Sequence, residues 1–269
     1  MGTGGSSVVR EGTHKESGQK VAIKILENYD NVEDASDEEE AFWAEIEIIK
    51  QLDHPCVLNV YDFYEDSEHY YVVLELLAGN ELFDQIIEKG CYEEPEAVSI
   101  VYQVLLALEH LASKSICHLD LKPENILFTD DSHTRIKLID FGEASSCKDH
   151  KLTGWVGTNN YMAPEMIKHL EYDCKVDMWS LGVVTYIMLC GSFAFDAEDE
   201  IELYQDIMEM RYEFRSPEWD DVSDDAKSFV KSLLTGPIER LSASEALRHR
   251  WIVQNLPSCH SSVRALGEL

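Results

Sequence analysis

The apolar positions of this 269-residue chain change their spacing near residue 78. Before that point, residues 19–26 and 69–76 are runs rich in Val, Ile, Tyr and Leu, which is typical of β-strands. Between these runs, residues 41–52 carry apolar side chains at helical spacing. The pattern predicts a small, strand-rich first lobe that contains one helix.

Beyond residue 80 the pattern changes to long helical runs. We predict helices at 95–113 and 175–189, with later ones near 199–211, 223–234 and 242–249. Short β-like segments at 126–128 and 136–139 lie between the first two helices.

The second lobe is therefore predicted to be mainly α-helical. The turn-like Ala78-Gly79-Asn80 is the best candidate for a hinge, and a cleft between two such lobes is a common place for a ligand. We expect an N-lobe over 1–77, a hinge at 78–80, a C-lobe over 81–255 and a C-terminal tail over 256–269.

The charge balance narrows the choice of partners. The chain has 52 Asp and Glu against 22 Lys and Arg, a formal net charge of -30 at pH 7. Such a surface repels nucleic-acid phosphates and anionic lipid heads, so we expect no nucleic acid and no membrane as a partner, while basic proteins or peptides are attracted. The alternative is that the charge only keeps the surface solvated, as we expect for the acidic run 33–40.

The seven cysteines are scattered and include no CxxC pair, a spacing that supports neither a zinc site nor a disulfide framework. We interpret them as reduced, mostly buried small apolar residues of an intracellular protein. Residues 1–12 lack the basic and apolar regions of a secretory signal. The longest apolar stretch, 181–190, has about half the length needed to span a bilayer. The expected location is cytoplasmic.

Two motifs near the start of the chain suit phosphate binding. Residues 2–9 have the spacing GxGxxxxV, in which Gly2 and Gly4 leave room for backbone amides to approach a phosphate. A flexible N-terminus is the alternative interpretation. The run Val-Ala-Ile-Lys then ends an apolar strand with Lys24, which needs a counter-charge or a phosphate, and Glu45 on the predicted helix can supply that charge.

The most specific signal is HLDLKPEN at 118–125, followed by Asp-Phe-Gly at 140–142. Within about twenty residues it combines Asp120, able to accept a hydroxyl proton, with Lys122 and with Asn125 and Asp140, which can hold magnesium. Ala-Pro-Glu at 163–165, DMWSLG at 177–182 and Arg-Leu at 240–241 follow in that order.

With VAIK, HxDLKPEN, DFG and APE in order across nearly the whole chain, the sequence resembles a eukaryotic protein kinase. GNELF (79–83), TRIKLIDFG (134–142), WDDVSDDAKSFV (219–230) and RLSASEAL (240–247) are similar to the calcium/calmodulin-dependent kinase group. Leu119, where most kinases have Arg, is similar to the myosin light chain kinase and death-associated kinase branch.

This resemblance implies an α+β bilobal fold, with a small antiparallel β lobe containing one helix and a larger, mainly α lobe. It also implies transfer of the ATP γ-phosphate to Ser or Thr. Lys24 would hold the α- and β-phosphates and pair with Glu45, Asp120 would accept the hydroxyl proton, and Lys122 would face the γ-phosphate. Thr158 corresponds to the threonine that marks Ser/Thr kinases.

The resemblance also implies the cofactors, ATP and Mg²⁺, and their ligands. Asn125 and Asp140 would hold the magnesium ion. The positions corresponding to the nucleotide pocket are Gly2, Gly4, Val9, Ala22, Lys24, Leu74, Glu75, Leu77, Glu81 and Leu127. Leu74 falls at the gatekeeper position, while Glu75 and Leu77 supply backbone groups for the adenine.

Substrate and regulation are also implied by the resemblance. Glu81 would meet an Arg three residues before the phosphorylated Ser/Thr, and Ile187 lies where a second acidic residue would select a second Arg. Gly154 occupies the position of the usual activation-loop phosphosite, so we expect activity without that phosphorylation. Regulation by calmodulin or another calcium sensor is expected to act through segments outside this chain.

Some positions depart from the family pattern. Ser7 replaces the third loop glycine, Glu143 follows the DFG motif, and Gly236 replaces an Asp. Ser7, together with a start at the glycine loop that leaves almost none of the first strand, leaves a pseudokinase, which binds nucleotide or partners without efficient transfer, as the main alternative. A small-molecule kinase is disfavoured because the APE segment and Thr158 resemble a peptide-binding region.

Overall fold

Five antiparallel strands form the sheet of the first lobe in a computed structural model that describes residues 3–4, 7–27 and 36–256, with side chains over 8–27 and 42–256. The strands lie in the order β1-β2-β3-β5-β4. They are β1 (Thr3–Gly4), β2 (Ser7–Thr13), β3 (Lys20–Glu27), β4 (Val60–Glu65) and β5 (His69–Glu75). β3 and β5 closely match the two predicted strands.

One helix, α1 (Ser36–Ile49), packs on one face of this sheet. Its Phe42 and Ile46 bury themselves against Tyr70 and Val72 of β5. The rings of Phe42 and Tyr70 stack with their centroids 5.4 Å apart. Because successive strand residues alternate between the two faces, Tyr70 and Val72 share the face that α1 covers.

The second lobe is mainly helical, as its sequence pattern predicts. Its helices are α2 (Leu82–Lys89), α3 (Glu94–Ser113), α4 (Pro164–Ile167), α5 (Lys175–Cys190), α6 (Glu200–Glu209), α7 (Asp224–Leu233), α8 (Ala243–Ala246) and α9 (Arg250–Asn255). The predicted helix at 242–249 is wrong in extent, because only four of its residues form α8 and a separate helix follows. α2 was not predicted.

The helix α5 lies at the centre of this lobe. Every residue from Val176 to Leu189 is buried, which explains why its sequence is apolar on all sides rather than along one stripe. The helix ends at Gly191, whose φ of 75° is the left-handed conformation that glycine adopts without strain.

Two short two-stranded sheets lie on the side of this lobe that faces the first lobe. β7 (Ile126–Phe128) pairs with β8 (Ile136–Leu138), and β6 (Ile116–Cys117) pairs with β9 (Ser145–Ser146). A 3-10 turn at Pro123–Asn125 leads into β7. The loop from β6 to β7 contains the sequence motif at 118–125, and the loop from β8 to β9 contains the motif at 140–142.

The segment 78–80, our predicted hinge, is held against the β7–β8 hairpin. Ala78 donates its N–H to Thr129 O at 3.1 Å, and Phe128 donates its N–H to Asn80 O at 3.0 Å. A Cβ on Gly79 would lie 2.5 Å from Phe128 O, so only glycine permits this close approach. The antiparallel β lobe and the helical lobe confirm the predicted fold class, while the exact domain boundaries stay a prediction.

Among the described helices, none combines the length and apolar character needed to cross a membrane.

Candidate active site

Lys24 and Glu45 form an ion pair at the inner face of the first lobe. The Lys24 ammonium lies 2.9 Å from both carboxylate oxygens of Glu45. Their side chains are only 23 % and 12 % exposed, so the charge of each is largely balanced by the other. The sheet and α1 together fix this pair, since Lys24 lies on β3 and Glu45 on the helix that covers it.

The same face of the sheet carries the apolar candidates for the nucleotide pocket. Val9 on β2 lies opposite Lys24, and Ala22 on β3 lies opposite Leu74 on β5. Residues directly opposite in an antiparallel pair share a face, so these side chains lie on one surface with Lys24. All of them are partly exposed rather than buried in the core.

Three polar side chains of the second lobe meet at a hydroxyl group. Thr158 donates its hydroxyl to Asp120 Oδ1 at 2.7 Å and accepts a hydrogen bond from Lys122 Nζ at 2.9 Å. The Lys122 ammonium also lies 2.7 Å from Asp120 Oδ2. The arrangement shows that an alcohol can be held between a carboxylate and an ammonium group at this place.

Asn125 and Asp140 are brought together by the register of the β7–β8 hairpin. Ile126 pairs with Leu138, so Asn125 before β7 and Asp140 after β8 lie at the same end. Ile139 donates its N–H to Asn125 O at 3.0 Å, which holds the two ends close. Asn125 donates its amide nitrogen to the Asp120 backbone oxygen at 2.8 Å, so its amide oxygen points away from that bond and stays available as a ligand.

Asp177, a residue for which the sequence predicted no role, holds the loop that carries Asp120 in place through hydrogen bonds to its backbone. Its carboxylate accepts the backbone N–H groups of His118 at 2.7 Å and Leu119 at 2.9 Å. Complete burial raises the pKa of Asp177, although these hydrogen bonds and His118 oppose the shift. Asp177 is the one charged residue of the run 176–189, and this was the available signal in the sequence.

His118 and the DFG motif form the floor of the site. The buried rings of His118 and Phe141 lie 4.9 Å apart, and His118 Nε2 donates to Ile139 O at 3.1 Å. Leu119 has a φ of 67°, and a Cβ on Gly157 would meet its carbonyl oxygen at 2.3 Å. The catalytic-loop candidate and the segment that carries Thr158 are therefore in close backbone contact.

At the hinge side of the site, the Glu75 side chain forms an ion pair within the protein. Its carboxylate lies 2.8 Å from the ammonium of the buried Lys137, a second residue that the sequence analysis missed. Leu77 makes no backbone hydrogen bond within the described part of the chain. Its peptide groups can therefore serve the polar edge of a base, which is the role that the resemblance implies for the backbone groups of Glu75 and Leu77.

Glu81 and Glu124 form a pair of carboxylates at the mouth of the site. Partial burial, Asp84 and Glu124 together raise the pKa of Glu81. Glu124 Oε2 is shielded from water and has no hydrogen-bond partner among the described residues. Glu81 pairs with Leu127 through the backbone, which positions it beside another candidate for the nucleotide pocket.

The residues present fit a nucleotide with a divalent cation. Asn125 and Asp140 offer hard oxygen donors at one hairpin end, and Lys24 offers a positive charge whose position Glu45 fixes. Of the glycine candidates, Gly4 lies in β1 and pairs with Ser7, whereas Gly2 falls outside the described residues.

Comparison with known proteins agrees with this geometry. The model of the protein kinase domain matches residues 1–252. A probable myosin light chain kinase of Dictyostelium discoideum is 40 % identical over 95 % of this chain and 65 % of its own length. A calcium/calmodulin-dependent protein kinase type 1 of Macrobrachium nipponense is 38 % identical over 98 % of this chain and 77 % of its own. Myosin light chain kinase A of D. discoideum is 37 % identical over 95 % and 86 %.

The chain therefore belongs to the protein kinase family. Within it, the relatives are serine/threonine kinases of the calcium/calmodulin-dependent group, which confirms the predicted resemblance and the class of ATP-dependent protein serine/threonine kinase. The family as a whole uses ATP with a divalent metal ion and acts on proteins. The chain spans just under two thirds of the length of the first of these relatives.

Proposed function

We propose that this chain transfers the γ-phosphate of Mg-ATP to Ser or Thr side chains of basic proteins, with Arg three residues before the phosphorylated position. The observation that carries the proposal is the hydroxyl of Thr158 held between Asp120 and Lys122. A substrate hydroxyl has the same chemistry, and Asp120 is the nearest acceptor for its proton.

In this proposal Asp120 orients the substrate hydroxyl and receives its proton, while Lys122 lies where it can balance charge that develops on the transferred group. Both are held in place before substrate arrives, through Asn125 and through the bonds of Asp177 to the loop. Preorganised charge of this kind is the main way in which a protein accelerates phosphoryl transfer.

Asn125 and Asp140 are proposed as the ligands of Mg²⁺, which prefers oxygen donors and neutralises phosphate charge when bound. Lys24 is proposed to hold the α- and β-phosphates. Val9, Ala22, Leu74, Leu77 and Leu127 are proposed to enclose the adenine, because they offer apolar, partly exposed surfaces around the cleft.

The pseudokinase alternative has less support. Lys24 and Glu45 are paired, and Asp120 contacts a hydroxyl group. Asn125 and Asp140 lie at the same end of one hairpin. The side chains needed for phosphate binding, metal binding and proton acceptance are therefore all present. The departure at Ser7 concerns the loop over the phosphates, whose tip lies outside the described residues.

The preference for a basic substrate rests on Glu81 and Glu124. Burial, followed by repulsion from Asp84 and Glu124, raises the pKa of Glu81, and one oxygen of Glu124 is shielded from water without a partner among the described residues. A guanidinium group bound between Glu81 and Glu124 would neutralise the repulsion between the two carboxylates. Its N–H donors would also provide the missing hydrogen-bond partner for Glu124, because their geometry matches that of carboxylate oxygens.

A peptide kinetic comparison tests this preference. Glu81→Gln should raise the KM for an Arg-x-x-Ser peptide roughly tenfold, with little change for the same peptide carrying Ala in place of Arg. Glu239→Gln removes one exposed charge far along the sequence and should leave both values unchanged. A preference of the wild-type protein for acidic residues around the phosphosite would refute the proposed specificity.

Regulation by calmodulin or another calcium sensor, through segments outside this chain, stays a proposal supported by the name of one relative. A cytoplasmic location is likewise proposed. Phosphotransfer by the protein purified from its natural source, measured with and without calcium and calmodulin, tests the first, and cell fractionation tests the second.

A further inference from the structure

Three cysteine thiols converge behind the loop that carries Asp120. Cys117 Sγ lies 3.1 Å from Cys174 Sγ, and Cys147 Sγ lies 3.5 Å from the same sulfur. All three sulfurs lie within 4.8 Å of one another. Sequence spacing predicted no zinc site, but these cysteines are far apart in the chain and only the fold brings them together.

Backbone pairing fixes the positions of the three thiols. Cys117 ends β6 and pairs with Ser145 of β9, and two residues later Cys147 donates its N–H to Ser115 O at 2.8 Å. Cys174 immediately precedes α5, and its thiol donates to Ile116 O at 3.2 Å. The three side chains therefore come from three separate segments that are each held by other contacts.

The spacing of the sulfurs suits a thiophilic metal ion. A tetrahedral zinc site with Zn–S bonds of about 2.3 Å places its sulfurs about 3.8 Å apart. The distances of 3.1 Å and 3.5 Å would have to widen by about 0.7 Å and about 0.3 Å to reach that value, which small rotations of the cysteine side chains can supply. Cys117 is buried, while Cys147 and Cys174 are partly exposed, so an ion has a path of entry.

We propose that Cys117, Cys147 and Cys174 bind one Zn²⁺ ion as thiolates, with a fourth coordination position open to solvent. Soft thiolate ligands favour zinc over the magnesium expected at Asn125 and Asp140, so the two sites differ in chemistry. Binding releases the thiol protons, and the two positive charges of the ion offset part of the negative charge of the three thiolates and of the nearby Asp177 carboxylate.

The ion would join three parts of the kinase. Cys117 directly precedes His118, Cys147 follows the DFG motif in the activation segment, and Cys174 lies three residues before Asp177, whose carboxylate binds the catalytic loop. This inference rests on the three thiols alone and holds whether or not the proposed substrate specificity is correct. Its expected effect is a more stable activation segment.

Metal titration of the reduced, metal-free chain tests the site. We expect one equivalent of Zn²⁺ to bind in competition with a chromophoric chelator, and Co²⁺ to give a thiolate-to-cobalt charge-transfer band. Cys147→Ser and Cys174→Ser should each weaken Zn²⁺ binding by roughly 100-fold or more, because each removes a direct ligand. Cys91→Ser and Cys190→Ser alter free cysteines outside the cluster and should leave the affinity unchanged.

Two further measurements keep the test independent of variant folding and of kinase activity. Zn²⁺ should protect the three thiols of the wild-type chain from alkylation, mapped by mass spectrometry, and should raise the Tm of the wild type but not of Cys147→Ser. The proposal is overturned if the wild type binds no Zn²⁺, if binding survives loss of Cys147 and Cys174, or if the three thiols stay open to alkylation at saturating Zn²⁺.

Discussion

Glu165 and Arg240 form the most deeply buried ion pair that the described residues contain. Two guanidinium–carboxylate hydrogen bonds of 2.6 and 3.0 Å join them, and the side chains are 4 % and 0 % exposed. The same guanidinium also donates to the backbone oxygens of Thr235 and Lys175. The APE glutamate thus anchors the end of the activation segment to the loop before α8.

Removing one partner of this pair should be costly. Arg240→Met leaves the Glu165 carboxylate buried without its partner, so we expect the free energy of unfolding to fall by about 3–5 kcal/mol. Arg211→Gln breaks an ion pair whose Arg is 53 % exposed and should cost less than about 1 kcal/mol. Urea denaturation measures both, and equal small losses would contradict the structural role of the buried pair.

His54 should make stability depend on pH. Burial, with smaller effects of His110 and Lys137, lowers the pKa of His54 to about 4, and its Nδ1 accepts the N–H of Cys56 at 3.1 Å. The unfolded chain takes up this proton near the ordinary pKa of about 6.5. The contribution of His54 to the free energy of unfolding is therefore fully present above pH 6.5. It decreases as the pH falls toward 4, by about 1–2 kcal/mol after allowance for the partial exposure of the side chain.

The variant His54→Asn keeps a hydrogen-bond acceptor but cannot take up the proton. Its unfolding free energy, measured by urea denaturation between pH 7 and 4.5, should fall less steeply than that of the wild type. His150→Asn changes an exposed histidine and should keep the wild-type slope. An unchanged slope in His54→Asn would rule out this histidine as the source.

Among the elements, the activation segment is ordered by its own backbone contacts. β9 pairs with β6, and Leu152 and Tyr172 exchange two hydrogen bonds of 2.9 Å. The usual phosphosite position is Gly154, with a φ of 114° and no hydroxyl, and Leu119 offers no basic partner for a phosphate.

Activity should therefore survive dephosphorylation. Phosphatase-treated protein and Thr153→Ala are each expected to keep kcat within about threefold of the untreated wild type. The positions that would supply basic partners for a phosphate are occupied by uncharged residues, Leu119, Ser145 and Ala41. Peptide phosphorylation rates measure this. Parallel loss of activity on phosphatase treatment and in Thr153→Ala would show that a phosphate orders the segment after all.

The elements also show what sequence patterns could predict. Long, largely apolar runs, such as those of α3 and α5, were predicted to within a few residues. α2 has only two turns, so its apolar positions could not establish a period. The residues that hold the site in place, Asp177 and Lys137, were missed because their partners lie more than fifty residues away in the chain.

For the whole molecule, motif order located the candidate site, because each motif is a short contiguous segment. Lys24 and Glu45 are paired, as the family resemblance implied, whereas the contact between Asp120 and Thr158 was not predicted from the sequence. The cysteine cluster is the opposite case. Its members come from three segments with no local signal, so only the three-dimensional arrangement shows them as a group.

The net charge of -30 is a property of the whole chain with a kinetic consequence. We expect kcat/KM for an Arg-containing basic peptide to fall several-fold between 50 and 200 mM salt, with kcat nearly constant, because screening weakens the attraction of the substrate. A neutral peptide should show little salt dependence. The same salt dependence for both peptides, in steady-state kinetics, would contradict electrostatic attraction as its cause.

Phosphate transfer itself tests the central claim most directly. With labelled Mg-ATP and an Arg-x-x-Ser peptide, the wild type should phosphorylate the serine, and Asp120→Asn should be slower by about 10²–10⁴-fold with its fold intact by circular dichroism. Asp131→Asn makes the same chemical change at an exposed position and should keep the wild-type rate. Binding of Mg-ATP without transfer by the wild type, or equal rates in the wild type and Asp120→Asn, would contradict the account.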